Sequence, residues 1–166
     1  MHLSQMKFML SLLIVLLNAT VLQAEVTVSQ SGESLTIAND FVQLNYDLSR
    51  GVYEAIDYRD GSIVVANGSL QINDLSTTAP GAVHDWTARA ESDELGIGKA
   101  VLIECRRPDQ VALLFEITLY EGQGYFVFAG GIENTTDDVF QLMSIKPLDG
   151  ASLFGGVGSK DMSQNF

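Results

Sequence analysis

The sequence is poor in cysteine, and Cys105 is the only one among its 166 residues. A single cysteine excludes an internal disulfide, so an exported chain of this length must take its stability from a hydrophobic core. Cys105 shares one face of a predicted strand with Val101 and Ile103. We therefore predict a buried, apolar side chain at this position rather than a reactive thiol.

Long hydrophobic runs are also absent, apart from one near the N-terminus. Residues Phe8–Leu17 are largely apolar, follow Lys7, and precede small and polar residues that end at Ala24. This order is typical of a secretory signal peptide, and the run is shorter than the roughly 20 residues that a transmembrane helix needs. We predict a signal peptide over residues 1–24, with an uncleaved anchor as the alternative, and a secreted or periplasmic location.

Basic residues are scarce, because 9 Lys+Arg stand against 21 Asp+Glu and give a formal net charge of −12. Lys7 would be lost with the signal peptide, so 8 basic and 21 acidic residues would remain and the net charge would become −13. A surface this acidic repels nucleic-acid phosphates and anionic lipids. The sequence predicts no nucleic-acid partner, and no membrane association after the signal peptide is removed.

Groups that could form a catalytic centre are few. The two histidines are His2, inside the predicted signal peptide, and His84, and no Gly-x-Ser-x-Gly motif indicates a nucleophilic serine. The adjacent acids Asp137 and Asp138 occupy a turn-like segment, where solvated carboxylates are common. They would supply too few of the roughly six to eight oxygens that calcium takes. We predict no catalytic residue, no metal site and no cofactor.

The sequence does contain a regular alternation of β-rich segments and turn signals, which recur about every ten residues. Residues Val42–Leu48 alternate strictly between apolar and polar side chains, and no segment has helical periodicity. These features predict an all-β fold, an antiparallel β-sandwich. We assign the sandwich to residues 25–148 and expect the Gly/Ser-rich tail, 149–166, to be poorly ordered or truncated.

Four local assignments follow from the same signals. Asn67-Gly68 predicts a turn between two short strands, and Asp93–Lys99 predicts a flexible connection. Tyr125–Ile132 is apolar on both faces, which predicts a central strand. Val139–Ile145 is predicted to be the strand that closes the set.

One segment supports a family resemblance: LYEGQGYFVFAGGIENTTDDVFQLMSIKPLDG. It contains a strand ending in Leu-Tyr-Glu-Gly, an aromatic strand, an Asn-Thr turn with acidic residues, and a strand ending in Ile-Lys-Pro-Leu. This order resembles the N-terminal β-supersandwich domain of α-galactosidase (melibiase) and raffinose-synthase-type glycoside hydrolases. Upstream segments at 44–46, 51–53 and 60–61 are similar to the early strands of that domain, so the resemblance covers roughly residues 26–155.

The resemblance implies a galactose-mutarotase-like supersandwich, which the chain would contain in complete or in incomplete form. In that family, two Asp carboxylates on a (β/α)₈ barrel that follows the sandwich perform the hydrolysis, and such a barrel takes about 250 residues. No residue of this sequence matches the family's catalytic motifs. We expect an exported, non-catalytic module, a truncated or split part of a carbohydrate-metabolism enzyme, with a separate catalytic domain as its partner.

Trp86 is the only tryptophan, and His84 and Asp85 stand beside it. An exposed tryptophan can stack on a sugar ring while neighbouring polar side chains bind its hydroxyls. Trp86, His84 and Asp85 are therefore candidate carbohydrate-binding residues. The alternative is that Trp86 packs under the Asp74–Val83 loop as part of the core. The second hypothesis for function is accordingly a stand-alone carbohydrate-binding or surface-interaction domain.

Overall fold

The computed structural model describes residues 25–108, 110–134 and 139–154. Among these residues the chain forms twelve β-strands and no α-helix, which confirms the predicted all-β class. The predicted signal peptide, the Asp137-Asp138 pair and residues 155–166 of the predicted tail lie outside the described residues. The strands are β1 (Thr27–Ser31), β2 (Ser34–Ala38), β3 (Val42–Asp47), β4 (Val52–Asp57), β5 (Ser62–Ile72), β6 (Leu75–Ser76), β7 (Val83–Asp93), β8 (Gly96–Arg106), β9 (Ala112–Tyr120), β10 (Phe126–Glu133), β11 (Ile145–Asp149) and β12 (Ser152–Leu153).

The strands form two antiparallel sheets that pack face to face. The first sheet has the order β1-β2-β3-β4-β5-β11, and β6 and β12 also pair with β5. The second sheet has the order β10-β9-β8-β7. β12 continues the first sheet beyond residue 148, where we placed the end of the sandwich. The architecture is an antiparallel β-sandwich, as the sequence predicts.

Tight turns set the registers of the early hairpins. Gly51 has a φ of +68°, and a Cβ at this position would lie 2.0 Å from the carbonyl oxygen of Thr77, so only glycine is accommodated. The turn places Asp47 opposite Val52 and Asn45 opposite Glu54 on β3 and β4. This register keeps Leu44 and Tyr46 of β3 and Tyr53 and Ala55 of β4 on the face that meets the second sheet.

The core lies between the two sheets and follows from the alternation of side chains along each strand. On β3, Leu44 and Tyr46 are fully buried while Asn45 faces outward. Phe115 of β9 lies at the centre of an aromatic cluster, and its ring centroid is 5.6 Å from that of Tyr53 and 5.6 Å from that of Phe128. The largest fully buried side chains are Tyr46, Tyr53, Phe115, Leu35, Ile37, Leu44, Leu70, Ile72, Ile103, Ile117, Leu119 and Val26.

Cys105 is buried in this core, as predicted, and lies on the same face of β8 as Val101 and Ile103. Burial raises the pKa of its thiol to about 11, because the thiolate would lose its hydration. The residue therefore behaves as a small apolar side chain at neutral pH.

Two of the predicted loops are wrong in detail. Asn67-Gly68 does not reverse the chain, because β5 runs through it from Ser62 to Ile72. Asn67 instead adopts a φ of +55°, and the register with β4 shifts nearby, so the pair forms an irregularity within one long strand. Asp93–Lys99 is a tight hairpin between β7 and β8, with Asp93 opposite Gly96, rather than a flexible connection.

The two last predicted strands are also misplaced. Tyr125–Ile132 corresponds to β10, which is an edge strand that pairs with β9 alone, and not a central one. Its side chains are half-buried or exposed. The prediction was wrong because an apolar pattern on both faces of a strand does not require a neighbouring strand on both of its edges. Residues 139–144 contain no strand, and the closing strand β11 begins only at Ile145.

Candidate functional site

The three candidate carbohydrate-binding residues lie on β7, at one edge of the second sheet. His84 pairs with Cys105 and Trp86 pairs with Ile103 across β7 and β8, so both side chains share the face that carries the core. Asp85 points to the opposite face and is exposed. The structure therefore brings His84 and Trp86 to one side of the strand and separates Asp85 from them.

His84 ties the second sheet to the first. Its Nδ1 is 2.7 Å from the carbonyl oxygen of Leu48, and its Nε2 is 2.9 Å from the carbonyl oxygen of Thr77. Both partners are backbone carbonyl oxygens that directly follow strands of the first sheet, so the ring connects β7 to the segments that carry Leu48 and Thr77. Because both ring nitrogens face backbone, neither is available to a ligand in this arrangement.

Trp86 closes the side of the sandwich between β7 and β1. Its indole Nε1 donates a hydrogen bond of 2.7 Å to Gln30 Oε1, and its partly buried ring packs against the core. The hydrogen bond that orients the indole is thus with Gln30 of β1. Sugar binding by His84, Asp85 and Trp86 stays a prediction.

The opposite side of the sandwich differs sharply, and we call it the open side: strands β10, β11 and β12 together with residues 139–144. β10 and the β11–β12 pair are edge strands of their sheets. Half of the fourteen exposed large apolar residues of the described chain fall within residues 139–154 of the open side. They are Val139, Leu142, Met143, Ile145, Leu148, Leu153 and Phe154.

The backbone of the open side is held in place by Asn73, which follows β5 with a φ of +53°. The Asn73 side chain donates to the carbonyl oxygen of Gln141 at 2.8 Å and accepts from the amides of Met143 and Ser144 at 2.9 and 3.0 Å. The Asn73 amide also donates to the carbonyl oxygen of Ser144 at 3.0 Å. Residues 141–144 therefore present their apolar side chains from a fixed backbone although they form no strand.

A hydrogen bond from the core also holds β11 in place. The Tyr53 hydroxyl donates a hydrogen bond of 2.6 Å to the carbonyl oxygen of Pro147. Pro147 is compatible with this position because an edge strand has no neighbour to receive its missing amide hydrogen. β11 is thereby attached to the core by a buried aromatic side chain while its outer edge stays free of partners among the described strands.

An apolar cleft of about 310 Å³ opens between the two sheets beside β10. Its walls come from Val42, Ala55 and Val65 of the first sheet and from Phe126 and Phe128 of β10. The half-exposed Tyr125 and Phe154 also border it. An exposed apolar surface of this kind is typical of a contact with another protein or of a ligand-binding groove.

One ion pair borders the cleft. Arg59 Nε lies 2.9 and 3.0 Å from the two carboxylate oxygens of Asp57, and Arg59 Nη2 completes a bidentate contact. Hydrogen bonds from the Arg59 side chain, and then from its amide, lower the pKa of Asp57 to about 2. Asp57 therefore stays ionised at neutral pH and is unsuited to donate a proton.

Acidic side chains of β7 and β9 also form ion pairs or hydrogen bonds with neighbouring side chains. Arg89 pairs with Glu91 of the same strand at 3.0 Å and with Glu116 of β9 at 2.6 Å. The Tyr120 hydroxyl donates to Asp93 at 2.5 Å, and this hydrogen bond lowers the pKa of Asp93. Within residues 25–108, 110–134 and 139–154, no group of three or more His, Cys, Asp and Glu side chains is arranged to hold a metal ion.

Sequence reasoning missed the open side as a candidate site. The apolar composition of residues 139–148 is visible in the sequence, but we interpreted it as part of one more strand of the sandwich. The hydrogen bonds of Asn73 to residues 141–144, which we call the Asn73 clamp, join positions about 70 residues apart, and no local pattern indicates them. No helix in the described part of the chain has the length and apolar character that crossing a membrane requires.

Comparison with known proteins returns no relative of this chain. No protein-family model matches it, and no curated protein and no solved structure gives a significant match.

Proposed function

We propose that this chain is an exported, non-catalytic β-sandwich module that packs through its open side against a separate catalytic domain of the α-galactosidase type. The observation that carries the proposal is the concentration of seven exposed apolar side chains within residues 139–154. Large exposed apolar patches are rare on monomeric proteins and mark surfaces that another polypeptide covers. Isolated exposed side chains elsewhere on the sandwich need no such explanation.

The Asn73 clamp strengthens this reading of the surface. Binding normally costs free energy because loops and side chains lose conformational freedom at the interface. Here the backbone of residues 141–144 is already fixed by four hydrogen bonds, so Leu142 and Met143 can be buried by a partner at a reduced cost. A surface held in this way is suited to a stable contact with a folded domain.

The identity of the partner rests on the family resemblance. The segment that resembles the α-galactosidase sandwich runs from the end of β9 through β10 to β11, and these strands include both edges of the open side. In that family the catalytic Asp pair belongs to a (β/α)₈ barrel that follows the sandwich. We infer that a barrel supplied by a separate polypeptide covers these strands, because they carry the exposed apolar side chains.

The proposal is tested by co-purification. The full chain is expressed with the α-galactosidase-type barrel encoded nearest to its gene, and association is measured by size-exclusion chromatography with light scattering. Met143→Lys, on the open side, is expected to weaken the complex at least tenfold, because it places a charge in an apolar contact. Ile97→Lys is the matched control, since Ile97 is similarly exposed but belongs to β8.

Two further outcomes follow from the same proposal. The purified chain is expected to leave p-nitrophenyl α-galactoside uncleaved, and the complex to cleave it through the barrel. Protein recovered from the culture medium or periplasm is expected to begin at Glu25, which N-terminal sequencing reads directly. Cleavage of the substrate by the chain alone, or equal loss of the complex in Met143→Lys and Ile97→Lys, would refute the proposal.

The second candidate function is carbohydrate binding centred on Trp86, since His84 is held by backbone carbonyls and Asp85 lies on the opposite face of β7. The partial exposure of Trp86 leaves part of its indole ring accessible on β7. Retention on immobilised glycans, compared between the parent chain and Trp86→Ala, tests this function separately from docking. Equal retention of the two proteins would remove Trp86 from any sugar site.

A further inference from the structure

A polar groove of about 460 Å³ lies at the end of the first sheet where two hairpin turns meet. Its lining comes from the β1–β2 turn, from the β3–β4 turn, and from the neighbouring ends of β3, β4 and β5. Because side chains alternate along a strand, the residues of β3 and β4 that line it on the outer face are those between the core positions. The groove is separate from the open side and from the candidate residues on β7.

The floor of the groove carries an amide donor on β3 and a carboxylate acceptor on β4. Asn45 Oδ1 accepts hydrogen bonds from Thr36 Oγ1 at 3.0 Å and from Gln43 Nε2 at 2.9 Å. These two bonds fix the orientation of the amide and leave Asn45 Nδ2 without a partner among the described residues. Glu54 is directly opposite Asn45 on β4, where paired side chains lie roughly 5 Å apart.

The neighbouring β3–β4 turn adds further hydrogen-bond donors and acceptors to the groove. Asp47 Oδ1 accepts from the Ser49 amide at 2.9 Å, from the Ser49 hydroxyl at 2.6 Å and from the Arg50 amide at 3.0 Å. The same carboxylate keeps its second oxygen free of partners in the described chain. The side chains of Glu33, Arg50 and Asn67 complete the lining, so amide, guanidinium and carboxylate groups surround one cavity.

This combination selects a class of ligand. A sugar hydroxyl both donates and accepts hydrogen bonds, so one hydroxyl can accept from Asn45 Nδ2 while the same or the next hydroxyl donates to Glu54. An anion is disfavoured by three carboxylates around a single guanidinium, and a simple cation makes no use of the fixed amide donor. The volume lies within the range of about 300–1,000 Å³ that is usual for small-molecule sites.

We propose that this groove binds a neutral, polyhydroxylated small molecule, a mono- or disaccharide, with Asn45 and Glu54 as the pair that recognises neighbouring hydroxyls. The proposal does not depend on docking at the open side. It names a site on the outer face of the first sheet, distinct from Trp86.

The test is a titration of the ¹⁵N-labelled full chain with D-galactose, D-glucose and D-mannose, followed by amide chemical shifts. At least one sugar is expected to give saturable shifts at the Asn45 and Asn67 side-chain amides and along the β3–β4 turn. Glu54→Gln and Asn45→Asp are each expected to weaken that binding at least tenfold, because each removes or inverts one partner of a hydroxyl. Thr87→Ala, an exposed polar position on β7, is expected to leave it unchanged.

Three results would overturn the proposal. No saturable shift with any of the three sugars would show that the groove does not recognise a polyol. Saturable binding of putrescine without binding of a sugar would identify a site for cations. Sugar binding that is lost in Trp86→Ala and retained in Glu54→Gln would place the site on β7. Thermal unfolding of each variant shows that it is folded, so loss of binding cannot be attributed to loss of structure.

Discussion

The hydroxyl of Tyr46 is buried in the core without a hydrogen-bond partner among the described residues. The nearby Thr77 hydroxyl already donates to the carbonyl oxygen of Gly51 at 2.7 Å and accepts from the Leu70 amide at 3.3 Å. An unsatisfied buried hydroxyl costs about 1–3 kcal/mol of folding free energy. Tyr46→Phe is therefore expected to raise the free energy of unfolding by about 1 kcal/mol, after allowance for the small void that the missing oxygen leaves.

Tyr53→Phe is the matched control, because Tyr53 is equally buried but donates a hydrogen bond of 2.6 Å to Pro147. Its loss leaves a half-buried carbonyl group unpaired, so we expect the free energy of unfolding to fall by about 1 kcal/mol. The assay is urea unfolding of the two variants and the parent, analysed with a common slope. A decrease for Tyr46→Phe that equals the decrease for Tyr53→Phe would refute the reasoning, since it would mean that the Tyr46 hydroxyl has a partner.

Three other predictions concern single positions. Because burial raises the pKa of Cys105 to about 11, its thiol is expected to react slowly with a disulfide reagent at pH 8 and rapidly after addition of denaturant. Arg59 lowers the pKa of Asp57 from 3.8 to about 2. The stabilisation by this ion pair is therefore present above about pH 4 and is lost as the pH falls toward 2. Asp57→Asn is expected to make the free energy of unfolding less sensitive to pH between these two values. Trp86→Ala is expected to lower the free energy of unfolding by about 2–3 kcal/mol, since it removes core packing and the bond to Gln30, whereas a freely exposed stacking platform would leave stability unchanged.

Much of the fold could be predicted because its signals are local. The alternation over β3 and the glycine at position 51 fix both the strand and its turn, and the same hairpin register places Asn45 opposite Glu54. Cys105 could be assigned to the core from its neighbours on β8 alone. These are properties of a few consecutive residues, so no knowledge of distant contacts was needed.

The remaining features depend on contacts between distant parts of the chain. Asn67-Gly68 carries a turn signal, but pairing of β5 with β4 on one side and with β11 and β12 on the other keeps the strand continuous. The edge position of β10 is a matter of sheet order, which its apolar pattern does not encode. The bond between Trp86 and Gln30 joins residues 56 positions apart, so the role of the tryptophan in closing one side of the sandwich could not be inferred locally.

A catalytic domain that covers the open side would shield its backbone amides from solvent. Hydrogen–deuterium exchange of the full chain is therefore measured with and without the α-galactosidase-type barrel used for co-purification. We expect slower exchange on binding in β10 and in residues 139–154, and unchanged exchange in β1 and β7. Protection of β1 and β7, or no protection anywhere in the chain, would contradict the proposal.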